Sequence, residues 1–354
     1  MNQPRIVTRK RNEMLDAGKT FACLAVVLIH CAFPGKIGIL FRTLSKFAVP
    51  FFFAISGYYN KGKVIKKIKH IGKICVSAEL FYLIFDWFIG IFESNSIIID
   101  SFQYGDLTLG TIFRTIVFNA PFTRPHLWFL YALLYCYLMS VGMRRINNKI
   151  KLIFSLTLII LFTITSEFAG VLGINNRLDI KLPTGEIAGS YIYNLFLLRA
   201  YPFFAFGELL REYEAKVIDL FTEKALICYV CLGSILAIVE RLLLTESQFY
   251  FGTYLCTMGL FLFCVKYGGH SLQGNSWKCI ARFGRESSMY VYILHIAVYD
   301  LIVLLFSYVT VGKVTGIIQS LEVLLTIVIT CLLAIAIRFV NHRKKFCTVH
   351  QLKN

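Results

Sequence analysis

Two histidines stand where an apolar chain has least use for them. His30 closes the apolar stretch that starts at Leu15, and His295 stands in the middle of another, FGRESSMYVYILHIAVYD. A polar ring in hydrocarbon is costly unless it is paired or lines a cavity. An imidazole changes charge near working pH, so it can serve as general base to a hydroxyl. The bland alternative for His30 is a helix-end ring bonded to a carbonyl near the interface. Lys19 precedes His30 by eleven residues, three helical turns and about 16 Å along the axis, so the two share a face at opposite ends of one helix.

Other polar groups interrupt the apolar runs. Glu79 and Asp86 lie seven residues apart and so on one helical face. Carboxylates inside a bundle normally pair with something, and Arg199 and Glu208 are available partners. They read either as a proton relay or substrate pocket, or as ion pairs that fix packing. Arg124-Pro125-His126, followed by Trp128, sets a cation, an imidazole and an aromatic ring at one interface; alone, Trp128 would be a belt residue. Pro50 is expected to break or kink its run, and Ser56-Gly57 to end it, which opens a cavity or merely helps packing. Arg285 starts the run that contains His295, and Asp300 follows that histidine by five residues.

The elements that must position these groups follow from composition. Of 354 residues, 57% are hydrophobic and only 16% charged, against about 25% charged in soluble domains. The apolar residues fall in long runs separated by short charged stretches, the pattern of an all-α, polytopic membrane bundle. The net charge of +17 would suit nucleic acid in a soluble protein. Here the cations sit between the runs, which points to the positive-inside rule, with attraction to anionic membrane lipid and no nucleic-acid partner. Eleven cysteines are scattered, mostly inside the runs. Cys228 and Cys231 form a C-x-x-C without a second pair, so small buried apolar residues explain them better than a metal. No P-loop, nucleophile elbow, zinc-protease motif or Rossmann glycine set is present. Arg5, Arg9, Lys10 and Arg11 precede the first run as in a signal peptide. No small-residue cleavage site follows, which predicts an uncleaved first helix.

Allowing about 20 residues per crossing, spans are predicted at 17–33, 44–59, 74–92, 126–143, 152–172, 191–210, 225–244, 250–265, 288–308 and 314–339. Basic-rich and basic-poor loops alternate without a break, so about ten helices with both termini cytoplasmic satisfy the charge rule. The chain divides into a basic segment 1–16, a transmembrane domain 17–340 and a basic tail 341–354. The long loop 93–125 contains LTLGTIFRTIVFNAP, a candidate interfacial or re-entrant helix. The stretch 61–73, KGKVIKKIKHIGK, has apolar residues at helical spacing between lysines and reads as an amphipathic surface helix leading into the third span. Its lysines either bind an anionic donor or simply mark the cytoplasmic side.

Five blocks in order, LDAGKTFACLAVVLIH, AVPFFFAISGYY, RPHLWFLYALLYCY, RAYPFFAFGELL and FGRESSMYVYILH, resemble the integral-membrane acyltransferase family 3. Several are also similar to the membrane half of vancomycin-resistance serine racemases. The resemblance covers essentially the whole chain. It implies a bacterial cell-membrane O-acyltransferase that takes an acyl group, typically acetyl, from cytoplasmic acyl-coenzyme A as co-substrate and delivers it to a cell-surface glycan or lipid-linked acceptor. The acceptor then enters the bundle or is served by a separate extracytoplasmic partner. The family's first-helix motif, arginine eleven residues before histidine, falls on Lys19 and His30; its R-x-x-R pair falls on Lys66 and Lys69, with Lys73 as a further candidate. Lysine keeps the charge but loses the bidentate fork. His295 matches the late histidine. The implied roles are catalytic for His30 and His295; donor binding for Lys19, Lys66, Lys69, Lys73 and Arg285; and cavity or acceptor contact for Ser56, Glu79, Asp86, His126 and Arg199. The alternative, suggested by the racemase likeness, is a transporter-like module supplying a small metabolite such as an amino acid.

Overall fold

A computed structural model describes residues 11–92, 109–173, 195–244, 246–268, 274–310 and 315–351. Within them every regular element is helical. The order is α1 (Glu13–His30), α2 (Gly35–Ser45), α3 (Ala48–Tyr58), α4 (Val64–Phe92), α5 (Leu109–Phe118), α6 (Trp128–Gly142), α7 (Asn148–Phe162), α8 (Phe196–Arg199), α9 (Tyr201–Asp219), α10 (Glu223–Leu243), α11 (Phe251–Tyr267), α12 (Asn275–Glu286), α13 (Ser288–Thr310) and α14 (Gly316–Gln351).

Helix α1 is central, touching α2, α3, α11, α12, α13 and α14. Its start is fixed by Asn12, whose side chain accepts from Leu15 N (2.9 Å) and donates to the Cys264 carbonyl (3.0 Å). Glu13 and Asp16 fill the first turn, where carboxylates complement the helix dipole. Leu15, Ala22 and Val26 feed one buried cluster, Cys23 and Val27 a second. An approach this close needs small residues: a Cβ on Gly284 of α12 would lie 2.1 Å from the Asp16 carbonyl oxygen.

Six stretches are long and apolar enough to cross a membrane: Gly35–Tyr58, Pro125–Arg145, Asn148–Glu167, Glu223–Leu243, Ser288–Val309 and Gly316–Asn341. The other four predicted spans overlap α1, α4, α9 and α11, none of which combines the length and composition of a crossing helix. The first three carry several charged residues, and α11 has 17 residues.

The connection expected between the spans 17–33 and 44–59 is helical as α2, and α2 and α3 together make one 24-residue apolar segment. The break expected at Pro50 is present: the run is interrupted at Lys46–Phe47, and Pro50 stands in the first turn of α3, where its ring no longer meets the carbonyl four residues back and no intrahelical N–H is needed. Ser56 and Gly57 lie in the last turn, and the helix ends one residue later at Tyr58, as expected. Gly57 lets α3 meet α9, since a Cβ there would lie 1.9 Å from the Phe204 carbonyl oxygen. The stretch 64–73 is helical and leads without a break into the third predicted span as α4, whose 29 residues span about 43 Å and overreach a hydrocarbon core of about 30 Å. The sixth run breaks at Ala200 (φ −123°), two residues before Pro202, whose ring conflicts with a continuous helix. Residues 191–194 of that run and 93–108 of the long loop lie outside the described residues; the helix expected in LTLGTIFRTIVFNAP is α5.

Candidate active site

Three histidines from distant parts of the chain meet. His30 is the last residue of α1, His126 sits in a single 3-10 turn (Pro125–Leu127) before α6, and His295 stands in the second turn of α13. Ring centroids are 5.3 Å apart for His30 and His295, 5.1 Å for His126 and His295, and 6.0 Å for His30 and His126. His126 and His295 are buried, whereas His30 is exposed. An accessible imidazole is thus backed by two enclosed ones.

The protonation pattern of His295 follows from its neighbours. Its Nδ1 lies 2.7 Å from the Tyr292 carbonyl oxygen and 3.2 Å from that of Val291. Carbonyls only accept, so Nδ1 carries the proton and the Nε2 of the neutral ring is a lone-pair base. Nε2 of His295 and Nε2 of His126 are both buried and have no hydrogen-bond partner among the described residues. Tyr82 and Tyr292 wall the cluster, with ring centroids 5.2 and 5.8 Å from His126. Their hydroxyls donate to the Ile293 carbonyl (2.6 Å) and the His126 carbonyl, which ties the 3-10 turn to α13.

The carboxylates of α4 hold the chain just before His126. Glu79 accepts from the backbone N–H groups of Phe122 (3.0 Å) and Thr123 (2.9 Å) and from the Tyr131 hydroxyl (2.8 Å). Asp86 pairs with Arg124, which also reaches Asp300 at 3.1 Å. The seven-residue spacing therefore puts two carboxylates on successive parts of one segment, 122–124. Their contacts fit positioning of His126. The partners suggested by sequence are engaged elsewhere: Arg199 donates to Gln248 Oε1 (3.0 Å) and lies 4.1 Å over the Trp128 ring, while Glu208 accepts from Asn60 and Ser140. Trp128 is thus the platform for a buried guanidinium. Ser56 donates to the Phe52 carbonyl of its own helix (2.8 Å), and no described contact joins it to the histidines.

A second polar group gathers at the far end of α1. Asp16 receives Lys19 Nζ at 3.1 Å and Arg11 Nη2 at 3.1 Å. The hydrogen bond to Asp16 pushes the Arg11 guanidinium above its ordinary pKa. Lys19 also lies 5.7 Å over the Tyr59 ring. From α4 it is Lys67, not the three lysines named from sequence, that turns inward. Lys67 donates to the Tyr59 carbonyl and lies 5.7 Å over the Tyr137 ring, while Lys66, Lys69 and Lys73 are exposed. Lys67 shares its face with buried Val64 and Ile71, three and four residues away, a signal present in the sequence. Arg285 is exposed and paired with Glu286 at 2.7 Å. Lys46, also missed, is buried at the α2–α3 junction, with Nζ on the Ser247 carbonyl. Among the described residues no group of three or more side chains is arranged to hold a metal ion.

Apolar spanning helices around a cluster of imidazoles, with cations at the opposite end of the central helix, define a membrane protein with an internal polar site. The family model described as an acyltransferase domain matches residues 12–339, and the chain belongs to that acyltransferase family. No curated protein and no solved structure matches it.

Proposed function

We propose that the protein is a membrane O-acyltransferase that moves an acetyl or other short acyl group from acyl-coenzyme A to a hydroxyl of a cell-surface glycan or lipid-linked acceptor. The observation that carries this reading is an accessible His30 backed by two buried imidazoles, at the other end of α1 from Lys19. Lys19, Lys67 and Arg11 would meet the donor's phosphates on the cytoplasmic side of a bacterial cell membrane. The acceptor hydroxyl would sit at His30. As its oxygen attacks the thioester carbonyl, the ring takes the proton and returns it to the departing thiolate, so an ester and a free thiol result. His295, with Nε2 as acceptor, would hold the proton in transit between the hydroxyl and the thiolate.

The test is a deletion strain complemented with the full chain or its His30→Gln variant, scored for ester-linked acyl groups on surface polymers. Purified protein is scored in parallel for acetyl-coenzyme A binding. His30→Gln is expected to retain binding and lose acylation by about 10²–10⁴-fold, the usual worth of a general base. Undiminished acylation removes His30 from this role. Absence of donor binding, with uptake of an amino acid into proteoliposomes, establishes the transporter-like alternative instead.

A further inference from the structure

Outside the histidine cluster, two buried cations converge on one short segment, 247–250. Lys46 is 8% exposed and lies within the 24-residue apolar segment Gly35–Tyr58. Its Nζ donates to the Ser247 carbonyl and stands 4.7 Å over the Tyr250 ring. It makes no ion pair among the described residues; the nearby Glu246 faces Arg42 at 3.5 Å. Arg199 is likewise 8% exposed. The helix break before Pro202 lets its guanidinium lie on Trp128 and donate to Gln248 Oε1. Gln248 is exposed, so the amide oxygen at the edge of this preoriented guanidinium belongs to a solvent-facing residue. Trp128, the platform for Arg199, follows His126 by two residues.

Buried cations are expensive in an apolar setting. A guanidinium stacked on an aromatic ring is fixed in plane, the arrangement that suits bidentate recognition of an oxyanion. Lys46 adds a second positive charge to the same segment. We infer that Lys46 and Arg199 form a subsite for an oxyanion of the acceptor, a carboxylate or a phosphodiester, with Gln248 Oε1 standing where an anion oxygen would bind. The inference rests on the acyltransferase reading and narrows its acceptor class to acidic glycans. The hydroxyl lies at His30 and the anionic group at Arg199, so a neutral sugar of the same size lacks the second anchor.

The test uses the full chain in nanodiscs of neutral lipid without acyl donor. Methyl glucuronide, glycerophosphoglycerol and neutral methyl glucoside are titrated while tryptophan fluorescence is followed. At least one anionic probe is expected to bind ten times or more tighter than the glucoside, and which one identifies the source of the anion. Lys46→Gln and Arg199→Gln are each expected to weaken that binding by about tenfold or more, and acetyl-coenzyme A binding stays unchanged. If Arg199→Gln does not fold, Arg199→Lys, which keeps the charge but not the fork, takes its place with a smaller loss. Equal binding of the glucoside, no binding of either anionic probe, or wild-type affinity in both variants overturns the subsite. Anion selectivity without donor binding leaves the subsite standing and removes the acyltransferase reading.

Discussion

Replacing Arg124 by glutamine tests how the bundle holds His126. Arg124 is 4% exposed; Asp86 and Asp300, which it joins, have side chains 2% and 22% exposed. The substitution leaves two carboxylates facing a neutral amide in a poorly solvated site. Removing one partner of a buried ion pair costs about 3–5 kcal/mol, because the remaining charge is uncompensated. With an unfolding entropy of about 2.1 cal/mol/K per residue, a chain of 354 residues has a Tm that falls by about 4–7 °C. Thermal unfolding of the purified protein in detergent, followed by intrinsic fluorescence, reads the shift. The triple variant Asp86→Asn, Arg124→Gln, Asp300→Asn removes the stranded charges and is expected to recover most of the loss. A single variant within 1 °C of wild type, or a triple variant no more stable than the single, refutes the reasoning.

Two further outcomes follow from the packing at the other end of α1 and at the α3–α9 crossing. Lys67→Met is expected to weaken acetyl-coenzyme A binding by about tenfold, more than Lys69→Met, because Lys67 is held on the carbonyl of Tyr59, whose ring faces Lys19, whereas Lys69 is exposed; calorimetric titration of both variants checks the order. Gly207→Val forces α3 and α9 apart, since its Cβ would sit 2.0 Å from the Ala54 carbonyl oxygen, and should cost about 1–3 kcal/mol. Gly72→Ala on α4 meets nothing within 4 Å and should be neutral or stabilising by up to about 1 kcal/mol; thermal melts of the two separate a packing constraint from helix propensity.

Composition and periodicity alone determine that this chain is helical and built for a membrane. The reason is local: a run of apolar residues must satisfy its backbone internally, and the charges between runs mark where the chain leaves hydrocarbon. His30 and His295 stand out for the same reason, as polar rings in apolar runs. Local rules also place one interruption: Pro50 forbids a continuous helix through Lys46, four residues before it, and the run breaks there. The motif points to the lysines at 66, 69 and 73, which are exposed; it does not point to Lys67, which the packing of Val64 and Ile71 sets against the Tyr59 carbonyl.

What only the tertiary structure decided is which distant groups meet. His126 joins His30 and His295 because Tyr292, Glu79 and the Asp86–Arg124–Asp300 network hold the turn before α6 against α4 and α13. Arg199 finds Trp128, and Lys46 finds segment 247–250. Each pairing joins residues tens to hundreds of positions apart. Periodicity reports which face of a helix is buried; which helix lies opposite depends on how ridges, glycines and buried charges fit together across the whole bundle.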